Sequence, residues 1–161
     1  MNPTFGASIL SWIPPMWTPE GGLFAIQQAS AAGFDLLEIL LPPSMEFDAP
    51  TVKRQLKQHG LKATCSLNLP KEATRLIKAA LDKASELEVD YLGGVLHSGI
   101  GVFSGKQRTR EEENTLCEVW AEVAEYAGRS GITIGIEPIN RYESYMCTSA
   151  EEVLRFIKRV D

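Results

Sequence analysis

The chain has 161 residues, enough for one domain of ordinary size with a sizeable core. Hydrophobic residues make up 44% and charged residues 23%, which fits a globular protein and excludes a disordered one. The formal charge of −5 is the wrong sign for a nucleic-acid surface, and no apolar run approaches the roughly 20 residues of a membrane helix.

The elements alternate. Phe5 to Ser11 reads as a first strand, and no basic segment precedes its apolar run as in a signal peptide. Thr18-Pro19-Glu20 then supplies an N-cap, a proline for the first helical position and an acid for the first turn. Leu23 and Ile26 begin an apolar stripe that Gly33 stops. Leu36 to Leu41 is a second strand, and Val52 and Leu56 mark a second helix stopped by Gly60. Lys62 to Asn68 is a third strand, followed by a helix with a wide apolar face through Leu76, Ile77, Ala80, Leu81, Ala84 and Leu87. Tyr91 to His97 is a fourth strand. Thr109-Arg110-Glu111-Glu112 is a capping box opening a long helix with Leu116, Val119, Trp120 and Val123 on one face. Gly131 stops it, Thr133 to Pro138 is a fifth strand, and the Ser149 to Glu152 box opens a last helix through Val153, Leu154 and Ile157. Most strands are nearly continuous apolar runs, as expected for a parallel sheet buried on both faces.

A quiet repeat runs through this pattern. Gly33-Phe34, Gly60-Leu61 and Gly131-Ile132 each set a glycine and an apolar residue just before a strand. Five βα units in one domain, residues 1–161, allow two architectures. An open five-stranded doubly wound sheet fits the length; an incomplete TIM barrel, about five of eight strands, fits the repeat. The phosphate-cradling loop of many open sheets is absent, because Trp12 to Trp17 is bulky and carries two prolines without N–H groups.

In either architecture functional side chains gather at the C-terminal strand ends. The first strand ends at Ser11-Trp12, the third at Cys65-Ser66-Leu67-Asn68, the fourth at His97-Ser98-Gly99 and the fifth at Glu137-Pro138-Ile139-Asn140-Arg141-Tyr142-Glu143. Glu137 follows an otherwise buried-looking strand, and a buried carboxylate needs a partner. Arg141 could be that partner in a structural ion pair; a metal is the other reading. Glu38, within the second strand, is either an acid facing a site or one paired to a neighbouring strand. His97 suits a substrate contact or a hydrogen-bonded core position, whereas His59 sits at a helix end as a structural residue. The residue spacing displays no complete metal site. Cys65, Cys117 and Cys147, an odd number, read as packed, inert, reduced thiols of a cytoplasmic protein.

Gly135 to Glu143, followed by Tyr145-Met146-Cys147-Thr148-Ser149-Ala150, resembles the fifth-strand motif of ketose 3-epimerases, the D-tagatose/D-psicose group of the xylose-isomerase-like barrel superfamily. Gly33 to Ile39 resembles that family's second-strand entry, and Gly6, Trp12 and the Cys65 region fit its first and third strands. The resemblance implies a partial TIM barrel and metal-dependent epimerisation of a small-molecule sugar at carbon 3 through an enediolate, with Mn2+, Mg2+ or Co2+ as cofactor. It makes Glu137 both metal ligand and acid/base, sets Glu143 near the reacting hydroxyl, and places Ser66, His97, Trp12 and Ser8 where family members line the sugar pocket. The family's other ligands, an aspartate, a histidine and a second glutamate, lie on later strands. The expectation is therefore a chain that is not competent alone, a truncated member or one completed by a second chain or a homo-oligomer. Alternatives are a non-catalytic, carbohydrate-binding or oligomerising remnant, or a relative acting on hydroxypyruvate or inosose. Asn140 to Glu143 favours the epimerase.

Overall fold

All five expected βα units form. The structure, a computed structural model, describes residues 3–68 and 73–160. Strands β1 (Gly6–Ser8), β2 (Leu36–Leu40), β3 (Lys62–Ser66), β4 (Tyr91–Gly93) and β5 (Thr133–Ile134) alternate with helices α1 (Pro19–Ala31), α2 (Ala49–Gln58), α3 (Ala73–Glu86), α4 (Arg110–Ser130) and α5 (Ala150–Val160). The local signals act as read. Thr18 Oγ1 accepts the Gly21 N–H at 3.0 Å, and the Thr109–Glu112 capping box is closed on both sides. Gly33, Gly60 and Gly131 all take positive φ (79°, 70° and 66°), so the repeated glycine is a left-handed helix stop before re-entry to the sheet.

The topology decides between the two architectures. Strand order is β1-β2-β3-β4-β5 with every pair parallel, each strand added beside the last. A doubly wound sheet reverses direction at a switch point, and here no reversal occurs among the described strands. Successive helices touch in the same order, α1 to α2, α2 to α3, α3 to α4 and α4 to α5. Right-handed crossovers that always step the same way put all helices on one face. The molecule is a partial TIM barrel, not the open doubly wound alternative.

That arrangement corrects the expectation of strands buried on both faces. In β2, Leu37 and Ile39 are fully buried under the helices, while Leu36, Glu38 and Leu40 are only half-buried on the concave side. The core lies between sheet and helices, through Ile26, Leu37, Ile39, Cys65, Ile77, Leu81, Leu92 and Val123. Strand ends differ too. After Ser8 the chain enters a 3-10 turn, Ile9–Ser11, so β1 stops earlier than its apolar pattern suggested. β4 ends at Gly93 because Gly94 turns at φ 121°, with Leu67 O only 2.4 Å from where a Cβ would stand. On α5 the expected stripe is split: Val153 and Phe156 are buried, whereas Leu154 and Ile157 are 58% and 40% exposed. No helix among the described residues is long and apolar enough to cross a membrane.

Candidate active site

The strand ends converge on a concave cavity of about 470 Å³, bordered by Ser8, Glu38, Thr64, Ser66, Tyr91 and Glu137 among others. Register explains the grouping. Ser8 pairs with Glu38 and Glu38 with Thr64, while Leu40 pairs with Ser66 and Ser66 with Gly93. In a parallel ladder, paired residues point the same way. β5 keeps its pairing beyond its two-residue core, with Gly135 N–H donating to Leu92 O and Glu137 N–H to Gly94 O, each at 2.9 Å.

Glu137 is exposed at the mouth, not buried, and forms no ion pair with Arg141 among the described residues. The structural ion pair considered for it is therefore not what holds it. Its backbone is held instead: His97 Nε2 donates to Glu137 O at 3.1 Å. A carbonyl oxygen only accepts, so Nε2 carries the proton and Nδ1 faces Ser98 Oγ at 3.1 Å as acceptor. Ser98 Oγ in turn meets Ser144 Oγ at 2.8 Å, and Ser144 Oγ accepts the Met146 N–H at 2.9 Å. His97 is thus a bridge from β4 to the two sides of the β5–α5 loop. Burial lowers its pKa, opposed by the Glu137 carbonyl and Glu152, which favours the neutral ring this pattern needs. Both ring nitrogens are committed to the protein, as in the core-histidine reading.

Asn140 to Glu143 forms a closed turn. Asn140 Oδ1 accepts the Tyr142 N–H at 2.9 Å, Asn140 O accepts the Glu143 N–H at 3.0 Å, and the Asn140 side-chain amide donates to the Glu143 carboxylate. The asparagine aims the glutamate. Glu143 O accepts the Gly101 N–H at 2.8 Å, tying this turn to the β4–α4 loop. Farther along, Arg108 pairs with Glu113 at 2.8 Å and Glu152 at 3.0 Å. Glu152 also accepts from the Thr148 backbone N–H at 2.6 Å. Tyr145 donates to the α4 capping glutamate, Glu112, at 3.0 Å. Helix-capping acids therefore double as anchors for the loop that follows Glu137.

Of the residues read from the sequence, Ser8, Ser66 and Glu137 meet at the concave cavity, with Glu38 beside them. Ser66 Oγ is buried behind the cavity wall and has no hydrogen-bond partner among the described residues. Trp12 does not join them: the 3-10 turn carries it aside, where it packs edge-on to Phe34 at 6.2 Å. His97 borders a second cavity of about 710 Å³, between α3, α4 and the β4–α4 loop, whose lining is mainly apolar. Sequence reasoning passed over Thr64 and Tyr91 as site residues. Their signal was positional, since both lie in strands that enter the cavity. Among the described residues no group of three or more His, Cys, Asp or Glu side chains could hold a metal ion. Burial pushes the Cys65 thiol up to about 12 and Cys147 to about 11, which favours the protonated thiol at both positions.

Comparison with known proteins now bears on this geometry. A family model described as the xylose isomerase-like TIM barrel matches residues 26–161. The chain belongs to that family. Within this barrel family, it is 28% identical to a ketose 3-epimerase of Arthrobacter globiformis over 91% of its own length and 56% of the relative's. It is also 28% identical to an L-ribulose 3-epimerase of Methylomonas sp., covering 98% of this chain and 59% of that one. A crystal structure of D-allulose 3-epimerase from Methylomonas sp. superposes with a TM-score of 0.89 at 29% identity, over 98% of this chain and 60% of the other. The same enzyme in complex with D-allulose superposes at 0.88. The chain thus spans less than two thirds of the relatives it matches.

Proposed function

We propose that this chain carries the first part of a ketose 3-epimerase site, with Glu137 as the group that takes up or returns the proton on carbon 3. The observation carrying this reading is the strand-end placement of Glu137, exposed at the concave mouth and clamped through its backbone by His97; the turn in which Asn140 holds Glu143 follows it in the same loop. An exposed, unpaired carboxylate fixed by its main chain can move a proton without first breaking an ion pair. Glu143 meets the hydroxyl near the reacting carbon, Ser66 and Ser8 contact the sugar from the wall, and His97 supports Glu137. Superposition on the allulose-binding enzyme and the epimerase relatives supports the sugar class.

Inverting carbon 3 needs proton removal on one face and return on the other, so a second acid/base must face Glu137 across the sugar. A divalent ion, where the family uses one, polarises the ketose oxygens. The described residues do not fit that ion: Glu137 alone stands where it would be held, against the three or four protein ligands usual for catalysis. The chain alone should therefore show no epimerisation of D-allulose or L-ribulose with Mn2+, Mg2+ or Co2+ supplied. Sustained turnover by the 161-residue chain would show that its own residues suffice.

A further inference from the structure

Gly135 opens the fifth-strand motif, yet neither the proton transfer nor the sugar contacts use it. Its place in the structure gives a reason. A Cβ on Gly135 would stand 1.8 Å from the Tyr91 hydroxyl oxygen and 2.5 Å from its Cζ. A Cβ on Gly93 would stand 2.8 Å from Tyr91 Cε1. The Tyr91 ring therefore lies flat over two bare backbone positions, Gly93 on its own strand and Gly135 on the next. Any larger residue at either position would lift the ring off the sheet.

The ring is on the cavity side. Tyr91, Gly93, Ser66 and Glu137 all border the concave space, and Tyr91 is 39% exposed. Its hydroxyl makes no hydrogen bond among the described residues, and Ser66 Oγ, on the strand paired to β4, is buried and equally unpartnered. The Tyr91 hydroxyl is thus a polar group at the cavity wall with no protein partner, free to meet a polar ligand. Gly135 lies two residues before Glu137, about 6.6 Å along an extended strand. The phenol thus sits one side-chain layer deeper than the carboxylate.

We propose that Tyr91 is the floor of the sugar site and that its hydroxyl recognises the distal hydroxyl of a six-carbon ketose. This rests on the proposed sugar reading. With carbon 3 held at Glu137, a six-carbon ketose has three further carbons to reach down to the phenol, and a five-carbon ketose has two. Tyr91 then discriminates chain length, while Gly93 and Gly135 keep the floor low.

The test is an amide NMR titration of the full 161-residue chain with D-allulose and with L-ribulose, repeated on Tyr91→Phe. D-allulose should move the Gly93 and Gly135 amides. Loss of the phenol should weaken D-allulose binding about fivefold and leave L-ribulose within about twofold. An equal effect on both sugars, or none, overturns the floor. Shifts confined to residues 137–143 also overturn it while leaving the sugar reading intact. If neither ketose moves any amide of the unaltered chain, the floor is overturned, since it is built from described residues alone, while the sugar reading is decided separately by joining this chain to the rest of a barrel.

Discussion

At the residue scale, two side chains carry most of the account. Glu137 was legible as a strand-end acid from the motif, but its environment was not. Pattern reading made it buried and in need of a partner, Arg141 or a metal, because a parallel strand is expected to be covered on both faces. The concave side is open here, so the carboxylate is exposed. His97 was ambiguous for a physical reason: a lone histidine at a strand end looks the same whether its ring faces a ligand or a carbonyl forty residues away. The structure gives it the Glu137 carbonyl and Ser98. Because burial holds its pKa below the ordinary 6.5, the unfolded chain binds a proton before the folded one does as pH falls. Its contribution to stability is complete above about pH 6.5 and is lost as pH drops through that value toward the folded pKa. Urea midpoints should fall between about pH 7.5 and pH 5.5, and His97→Gln should flatten that slope. An unchanged slope in the variant would remove His97 as the cause. Asn140→Ala should release the Glu143 side chain, seen as faster side-chain motion of Glu143 by NMR with the fold intact.

At the scale of elements, local chemistry was legible and strand length was not. The α4 capping box, the proline at the start of α1 and the helix-stop glycines read correctly because each depends on a few adjacent residues, whereas the α5 box closes only halfway: Glu152 N–H donates to Ser149 Oγ, but its carboxylate takes the Thr148 N–H. β1 and β4 end early because of events that adjacent residues do not report, a 3-10 turn at Ile9 and the approach of Leu67 O to Gly94. Gly94→Ala should destabilise the chain by about 1–3 kcal/mol, because a positive φ and a backbone clash act together. A cost under a few tenths would mean that the backbone yields freely there. Thr109→Ala should cost about 1 kcal/mol through the lost α4 cap. It should also raise amide exchange in the β5–α5 loop, since Glu112 of the same box receives the Tyr145 hydroxyl. Exchange rising only within α4 would limit the cap to its own helix.

At the scale of the molecule, the βα alternation announced the class, and sequential strand order settled the barrel geometry. Periodicity cannot supply that order, because doubly wound sheets and barrels use the same unit. Apolar residues stand exposed along both outer flanks: Phe5 and Phe24 beside β1 and on α1, Leu154 and Ile157 on α5. The remaining barrel units of the longer relatives would flank these two edges. The isolated chain should self-associate with rising concentration, and Leu154→Glu with Ile157→Glu should reduce that association in sedimentation velocity. Identical profiles for both proteins would show that α5 is not the sticky edge. On the proposed function, Glu137 of this partial barrel is a working acid/base once the rest of the site is supplied. The direct measurement joins residues 1–161 to the remaining βα units of the Methylomonas D-allulose 3-epimerase and follows deuterium uptake at ketose carbon 3 in heavy water. The chimera should exchange that hydrogen and its Glu137→Gln form should lose the exchange by at least about a hundredfold. A folded chimera that exchanges equally well without Glu137, or not at all with it, contradicts the account.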